Sequence, residues 1–307
     1  MVKMKKGILL LLFILVFLTG CGLQNLPGYK GPKQDKPVPR GIGLSFADGF
    51  PPSELVEDKD FSVRVNVINY GAREASGNIE LSDGVGNAYE GVGDDVSGQF
   101  RLEGNEGDAG AGYDEMYVSF GPFRYKNLEE GQSATFIANA IFDYDYESIA
   151  SLCINGFTSA GKKSKKCLDK ETITGRALCP SSRICDAMTA PVAVTEIKKN
   201  SFVAEEGGEQ TIQLDVKISN VGNGYIKDGE VNGIEVSSGD FRFDCDKDRV
   251  VFLYNRDTDV REKKIKCISS EGKVDGEFIR TPLIVKMKYA YVISNYYGPV
   301  QINRIED

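Results

Sequence analysis

Three aspartates at alternate positions have a spacing that could bind a metal ion. Asp244, Asp246 and Asp248 lie in the segment DCDKDR, and on a β-strand such side chains project from one face. Calcium takes several carboxylate oxygens as ligands, which makes these residues a candidate Ca²⁺ site. Arg249 stands where an EF-hand loop requires glycine, so a solvated acidic ladder is the alternative. The sequence indicates no other cofactor.

Four tyrosines near the C-terminus form a candidate ligand-binding row. They are Tyr289, Tyr291, Tyr296 and Tyr297. Exposed aromatic side chains can stack on sugar rings or dominate a protein–protein contact. In the alternative interpretation alternate tyrosines pack in a core, and the neighbouring segments 294–295 and 298–299 form a turn.

The absence of histidine from all 307 residues excludes several classes of enzyme. Ser-His and Cys-His nucleophile systems cannot be assembled, and zinc loses its usual nitrogen ligand. The segment GFTSAGKKS begins like a phosphate-binding loop, but Lys163 stands where a magnesium-ligating Ser or Thr is required. Paired carboxylates for glycoside hydrolysis cannot be recognised from sequence, because the fold sets their separation. We therefore expect a protein that is not an enzyme and has no catalytic residue, and an exported hydrolase is the least favoured hypothesis.

The first twenty residues have the layout of a secretory signal. Three lysines precede an uninterrupted apolar run at residues 8–18, which is too short to span a bilayer, since a spanning helix needs about 20 residues. The run ends in LTGC, which resembles the lipobox of exported lipoproteins and predicts lipidation of Cys21. A plain membrane-anchoring helix is the alternative. Residues 21–40 are rich in proline and glycine and predict a flexible tether, so we expect a lipid-anchored protein on the extracytoplasmic face of the cell membrane.

The six remaining cysteines are an even number, which in an exported chain indicates disulfides. Proximity in sequence favours three pairs: Cys153 with Cys167, Cys179 with Cys185, and Cys245 with Cys267. The alternative for the first four is a metal cluster, but neither spacing is C-x-x-C. As disulfides, these four would stiffen a lysine-rich connector.

A nine-residue motif occurs twice in the chain. VRVNVINYG at residues 63–71 returns as LDVKISNVG at 214–222, and an offset of 151 aligns Asn69 with Asn220. Apolar residues then coincide at every second position, which is the pattern of a strand with one buried face. Each strand ends at Asn-x-Gly, where a left-handed backbone is expected. Phe46 and Ile197 also match at the same offset, so the sequence indicates a duplication.

The rest of each copy also reads as strands and turns. Residues 138–148 and 283–294 both alternate, and each carries a Tyr-x-Tyr pair. Many short strands in about 110 residues predict an immunoglobulin-like sandwich. The predicted fold class is all-β, with two tandem immunoglobulin-like β-sandwich domains after a signal peptide and flexible tether. The expected divisions are a signal peptide at 1–20, a tether at 21–40, sandwiches at 41–150 and 191–307, and a cysteine-containing spacer at 151–190.

The closing motifs INYG and SNVG resemble those of CARDB-like immunoglobulin modules of prokaryotic surface proteins. The lipobox, the opening PVAVTEI at 191–197 and the spacer resemble tandem-domain lipoproteins of archaea. This resemblance implies a surface location and an adhesion or scaffold role, and it supplies no catalytic residue. Residues 89–116 depart from a compact module and predict an insertion.

Charge narrows the classes of partner. Residues 41–150 contain 21 acidic and 6 basic residues, whereas phosphate recognition needs a clustered positive footprint, so nucleic acid is not expected. We expect a membrane contact through the lipid on Cys21 and an envelope protein or polysaccharide as partner. The leading hypothesis is an adhesin, spacer or subunit of an envelope assembly, with the sheet edges and residues 89–116 as contact surfaces. The alternative is a lipoprotein that binds carbohydrate or another small ligand.

Overall fold

The computed structural model describes residues 40–85, 89–93, 96–105, 113–179, 185–203, 210–239, 241–253, 260–271 and 274–305. The predicted signal peptide, Cys21 and nearly all of the predicted tether lie outside these ranges. Pro39–Asp307 form one compact unit. Strand accounts for 65% and helix for 4% of the structure, which confirms the all-β prediction. None of the described helices is long and apolar enough to cross a membrane.

In chain order the strands are β1 (Ile42–Phe46), β2 (Glu54–Val56), β3 (Phe61–Asn69), β4 (Ala75–Asp83), β5 (Val96–Leu102), β6 (Asp114–Phe123), β7 (Gln132–Asn155), β8 (Lys170–Thr174), β9 (Val192–Val203), β10 (Gln210–Asn220), β11 (Tyr225–Ser238), β12 (Phe241–Cys245), β13 (Val250–Val251), β14 (Glu262–Glu271) and β15 (Phe278–Asn303). A 3₁₀ helix occupies Gly175–Leu178, and the four-residue helix α1 occupies Asp186–Thr189.

The first sequence copy forms two facing antiparallel layers. One layer is the three-stranded sheet β1-β3-β6, and the other contains β5, β4 and β7 in that order. The alternating residues Val63, Val65 and Val67 of β3 are fully buried. The ring of Phe61 lies 6.0 Å from that of Phe136 on β7, so the two layers pack face to face. The predicted sandwich is therefore confirmed, since alternate apolar residues need a second layer to bury them.

The second copy repeats this pairing. Strand β10 lies between β9 and β14 as β3 lies between β1 and β6, and β11 lies beside β15 as β4 lies beside β7. Phe46 faces Val65 and Ile197 faces Val216, so both partners keep the offset of 151. A bulge at Thr195 of β9 shifts the rest of that register by one residue. The duplication expected from the sequence is thus present in the strand pairing itself.

The last strands of the two copies, β7 and β15, pair with each other along most of their length. Their antiparallel register runs from Asn155 opposite Phe278 to Gln132 opposite Ile302, with one bulge after Tyr297. At about 3.4 Å per residue, the 24 residues of β7 extend about 80 Å. The pairing makes β4, β7, β15 and β11 parts of one sheet. The pairing also satisfies backbone groups that an edge strand would leave exposed.

This pairing differs from the expected series of two separate sandwiches. The expected boundary at residue 150 lies inside β7, because alternate burial continues through Leu152 and Ile154. The expected spacer is also part of the folded unit, since β8 pairs with β9 and Ile173 and Leu178 are buried. The predicted turn in segments 294–295 and 298–299 is absent; both lie within β15, and only the bulge interrupts its pairing.

Part of the predicted insertion is also regular structure. Residues 96–102 of the segment 89–116 form β5, which pairs with β4 along its whole length. Residues 94–95 and 106–112 lie outside the described ranges. In the described sheet order β5 and β8 stand at the two ends of the large sheet. The acidic segment therefore supplies a sheet edge, which is where a further strand can add.

Candidate functional site

Side-chain hydrogen bonds from asparagine stabilise the two Asn-x-Gly corners, which are the chain turns at the ends of β3 and β10. Asn69 is buried, and its Nδ2 donates to the carbonyl oxygens of Arg73 at 2.8 Å and Glu103 at 2.9 Å. Its Oδ1 accepts the amide of Gly71 at 2.8 Å. The backbone φ of Asn69 and Gly71 is not positive, contrary to the expected left-handed turn. Glycine is needed because a Cβ on Gly71 would lie 2.9 Å from the Oδ1 atom of Asn69.

The corner in the second copy uses a tyrosine from the predicted ligand-binding row. The hydroxyl of Tyr291 donates to Oδ1 of Asn220 at 2.9 Å and accepts the amide of Gly224 at 2.9 Å. Tyr289 is also buried, and its hydroxyl donates to the carbonyl of Val192 at 3.0 Å. Burial raises the pKa of Tyr289 well above its usual value. Both tyrosines therefore have a structural role, and their buried side chains are not accessible to an external ligand.

The other two tyrosines of that row are also separated from each other. The ring of Tyr297 packs 5.6 Å from Phe46, whereas Tyr296 is 64% exposed. The structure thus does not bring the four predicted tyrosines together as a binding row. Alternation along β15 places successive side chains on opposite faces, which separates Tyr296 from Tyr297.

The three candidate calcium ligands are exposed on and just after β12. The Oδ1 atom of Asp246 accepts the amide of Lys266 at 2.9 Å, and the carbonyl of Asp248 accepts the amide of Ile234 at 3.0 Å. Among the residues that the structure describes, no three His, Cys, Asp or Glu residues are placed to hold a metal ion. Asp244, Asp246 and Asp248 therefore form no shared coordination site, because the strand ends at Cys245, before the second of them.

The six cysteines form the three disulfides predicted from their proximity. Cys245 and Cys267 lie directly opposite each other on β12 and β14. The bond between Cys153 and Cys167 closes the loop that follows β7. Beside that bond Asn155 donates to the carbonyl of Cys167 and accepts its amide, both at 2.7 Å. The disulfides thus tie strands and connecting loops to the same sheet.

Replacing Cys245 and Cys267 together with alanine is expected to lower the free energy of unfolding by about 2–3 kcal/mol. The bond closes a loop with a sequence separation of 22, and its loss restores conformational entropy to the unfolded chain. Urea unfolding at pH 7 measures the change. As a control, the double alanine variant of Cys179 and Cys185, whose separation is 6, should lose less. A larger loss in that control would contradict the entropic explanation.

A buried carboxylate joins helix α1 to the first sandwich. Oδ1 of Asp186 accepts the hydroxyl of Tyr144 at 3.0 Å, and Oδ2 accepts the amide of Glu147 at 2.8 Å and Nε of Arg73 at 3.4 Å. Desolvation by burial raises the pKa of Asp186 to about 6, although these donors act in the opposite direction. Nearby, the amide of Ala72 donates to Oγ1 of Thr189 at 3.0 Å. This cluster fixes the connector in place.

A second buried charge lies on β9 in the other copy. The side chain of Lys199 is fully buried, and its Nζ donates to the carbonyl of Cys153 at 2.6 Å and to Oε2 of Glu171 at 3.1 Å. It thereby links β7, β8 and β9. Neither Lys199 nor Asp186 could be singled out from the sequence, because charged residues are usually solvated. The only signal for Lys199 is that it continues the buried alternation from Ile197.

An acidic groove of about 530 Å³ lies beside the Asp186 cluster. Its lining residues are Arg73, Glu74, Ser76, Glu103, Gly104, Asp143 and Asp145. Several of these charges form surface ion pairs, such as Arg101 with Glu74 at 2.9 Å and Lys288 with Asp145 at 3.3 Å. An acidic lining disfavours anionic ligands such as nucleic acid.

The outer face of the sheet β1-β3-β6 differs sharply in chemistry from that of the corresponding strands β9, β10 and β14 of the large sheet. The face of β9-β10-β14 carries a shallow groove of about 310 Å³ lined by Glu196, Lys198, Asp215, Lys217, Asp246, Lys264, Ile265 and Lys266. The corresponding face of β1-β3-β6 instead carries Tyr117, which is 54% exposed and lies opposite Asn66. Sequence reasoning missed Tyr117, although it occupies an outward position of an alternating strand.

No family model matches this chain, and no curated protein matches it. Its function must therefore be inferred from the contacts described above.

Proposed function

We propose that this protein is a non-enzymatic, lipid-anchored cell-surface protein that acts by contact, as an adhesin, spacer or subunit of an envelope assembly. The anchor is the lipid on Cys21, placed on the extracytoplasmic side of the membrane by the signal and lipobox in the sequence. Three disulfides support this location, because such bonds persist in oxidising compartments. The same features support the proposed kinship with tandem CARDB-like lipoproteins of archaea.

The pairing of β7 with β15 is the observation that carries this proposal. Two sandwiches joined only by a flexible linker would move independently, whereas a shared sheet holds their surfaces in a constant orientation. Pre-organised surfaces lose less entropy when they bind a partner. A rigid pair of sandwiches on a short tether is therefore suited to contact at a membrane surface.

The charge and the sheet edges favour a particular range of partners. A net charge of −8 and an acidic groove disfavour nucleic acid. Strands β5 and β8 at the ends of the large sheet offer edges to which a partner strand could add. The partner is an envelope protein or a polysaccharide. Carbohydrate binding is the second candidate function, and the exposed Tyr117 on the outer face of β1-β3-β6 specifically favours it.

Cross-linking on intact cells tests the contact function. The native protein is expected to capture one envelope component repeatedly, as identified by affinity purification and mass spectrometry. The Cys21→Ala variant should leave the membrane fraction and lose that capture, because its tether has no lipid. A variant with an exposed substitution that leaves Cys21 intact, Tyr296→Ala, should behave as the native protein does. Capture of no recurring component by the native protein would refute the contact function.

A further inference from the structure

Exposed aromatic rings lie at intervals along the outer face of the three-stranded sheet β1-β3-β6. Tyr117 projects from β6 beside Asn66 of β3. At one end of the face the guanidinium of Arg64 lies 4.5 Å from the ring centre of Phe50. At the other end Tyr113, which is 49% exposed, packs edge-on against Tyr70 with 4.7 Å between ring centres. The face thus has three aromatic positions.

One of these rings, that of Tyr70, fits against β1 because its neighbour there is a glycine. Gly43 stands opposite Ile68 on the outer side of β1. A Cβ at Gly43 would lie 2.5 Å from Cε2 of Tyr70, so only glycine leaves room for that ring. The edge of the Tyr70 ring therefore lies close to the backbone of β1 at this position.

The three aromatic positions follow the direction of β3. Arg64, Asn66 and Ile68 point outward at successive steps of two residues, or about 7 Å each. From Arg64 to Tyr70 the face extends about 20 Å. That length suits an extended chain of several units better than one small molecule.

Polar, uncharged groups separate the aromatic rings. Ser45 and Ser119 stand in the same cross-strand rows as Asn66 and Arg64. The Oδ1 atom of Asn66 is buried and accepts no hydrogen bond from any described residue. On the outward positions of the three strands the charges of Arg64 and Glu115 cancel, although residues 41–150 as a whole are strongly acidic. The face is therefore neutral, with amide and hydroxyl groups between its rings.

The duplicated copy shows that the fold does not require this composition. At the offset of 151, Arg64 and Asn66 correspond to Asp215 and Lys217. These two residues belong to the charged face of β9-β10-β14. The buried residues of both copies keep the same alternation, so the difference is confined to the outer face.

We propose that the outer face of β1-β3-β6 binds a neutral glycan chain of the cell envelope. A pyranose ring has an apolar C–H face, which stacks on an aromatic ring, and hydroxyl groups that need hydrogen-bond partners. Tyrosine offers both an aromatic face and a polar tip. A protein hot spot would instead need a contiguous, desolvated apolar centre. On the outer face of β1-β3-β6, the polar residues Asn66 and Ser119 lie between the aromatic rings. The inference rests on the proposed contact function and names the class of its partner.

Binding of the full-length protein, purified in mild detergent, to neutral polysaccharides tests the inference. The probes are mannan, laminarin and galactan, with polygalacturonate as the anionic polymer. We expect binding to at least one neutral polymer, insensitive to high salt, and about tenfold weaker binding by Tyr117→Ala. The matched controls Tyr296→Ala and Phe202→Ala remove exposed rings elsewhere and should bind as the native protein does.

Two outcomes would overturn the inference. One is that no neutral polymer binds, and the other is that Tyr117→Ala binds as well as Tyr296→Ala. Urea unfolding of Tyr117→Ala separates lost binding from lost folding, since its exposed ring contributes little to stability. If the polysaccharide test fails in either way but cross-linking on cells captures an envelope protein, the contact function stands and only the glycan inference fails. If neither experiment detects a partner, both proposals fail.

Discussion

Replacing Lys199 with alanine is expected to lower the free energy of unfolding by about 3–5 kcal/mol. The fully buried side chain donates to Oε2 of Glu171 and to the carbonyl of Cys153. Its removal leaves that carbonyl without this donor, and also leaves a cavity between three strands. Urea unfolding at pH 7 measures the change.

Two further variants separate the charge of Lys199 from its volume. Lys199→Met fills most of the space but donates no hydrogen bond, so it should lose about 1–3 kcal/mol, less than the alanine variant. Lys198→Ala removes the neighbouring lysine, whose side chain is about half exposed, and should change stability by less than about 0.5 kcal/mol. Equal stability of Lys199→Ala and Lys198→Ala would contradict the buried position of Lys199.

The stability of the native protein relative to Asp186→Asn is expected to fall by about 2–3 kcal/mol between pH 4 and pH 7. Burial raises the pKa of Asp186 from its usual 3.8 to about 6. Between these values the folded state holds a proton that the unfolded state has released, so stability decreases as pH rises. Above pH 6 the folded state must also bury the ionised carboxylate. Urea unfolding of both proteins at several pH values gives the difference.

The comparison with Asp186→Asn isolates the contribution of Asp186 to the pH dependence of stability, because all other carboxylates are present in both proteins. Asparagine keeps the shape and can still accept the amide of Glu147, but it does not titrate. Replacing the exposed Asp145 with asparagine is the control and should leave the pH dependence unchanged. A difference that stays constant across the range, or increases with pH, would show that Asp186 is not buried as described.

Local pattern was sufficient to predict the strands because a half-buried strand repeats every two residues. The buried positions show that repeat without interruption along β3 and from Ile212 to Ile218 in β10, and their partners in β1 and β9 keep the predicted offset. Cysteine pairing was also predictable, since each pair is close in sequence. The spacing DCDKDR was less informative, because alternation holds only while the strand continues, and β12 ends at Cys245.

The two-residue burial period did not predict how the two copies pair with each other. The alternation of β7 continues past residue 150, but a strand's pattern does not identify the strand beside it. Pairing with β15 depends on residues more than a hundred positions away in the chain. Tyr289 and Tyr291 illustrate the consequence, since they read as a possible exposed row and are buried at that seam.

The all-β class, the duplication, the disulfide pairs and the expectation of a lipid anchor could be inferred from the amino-acid sequence, because each depends on composition or on short-range periodicity. Which charged groups are buried, as with Lys199 and Asp186, depends on the three-dimensional fold. It also decided that the two copies share one sheet. The aromatic face likewise exists only after folding, since Phe50, Tyr70 and Tyr117 reach it from separate parts of the chain. Burial and surface composition are properties of long-range contacts, which local sequence does not encode.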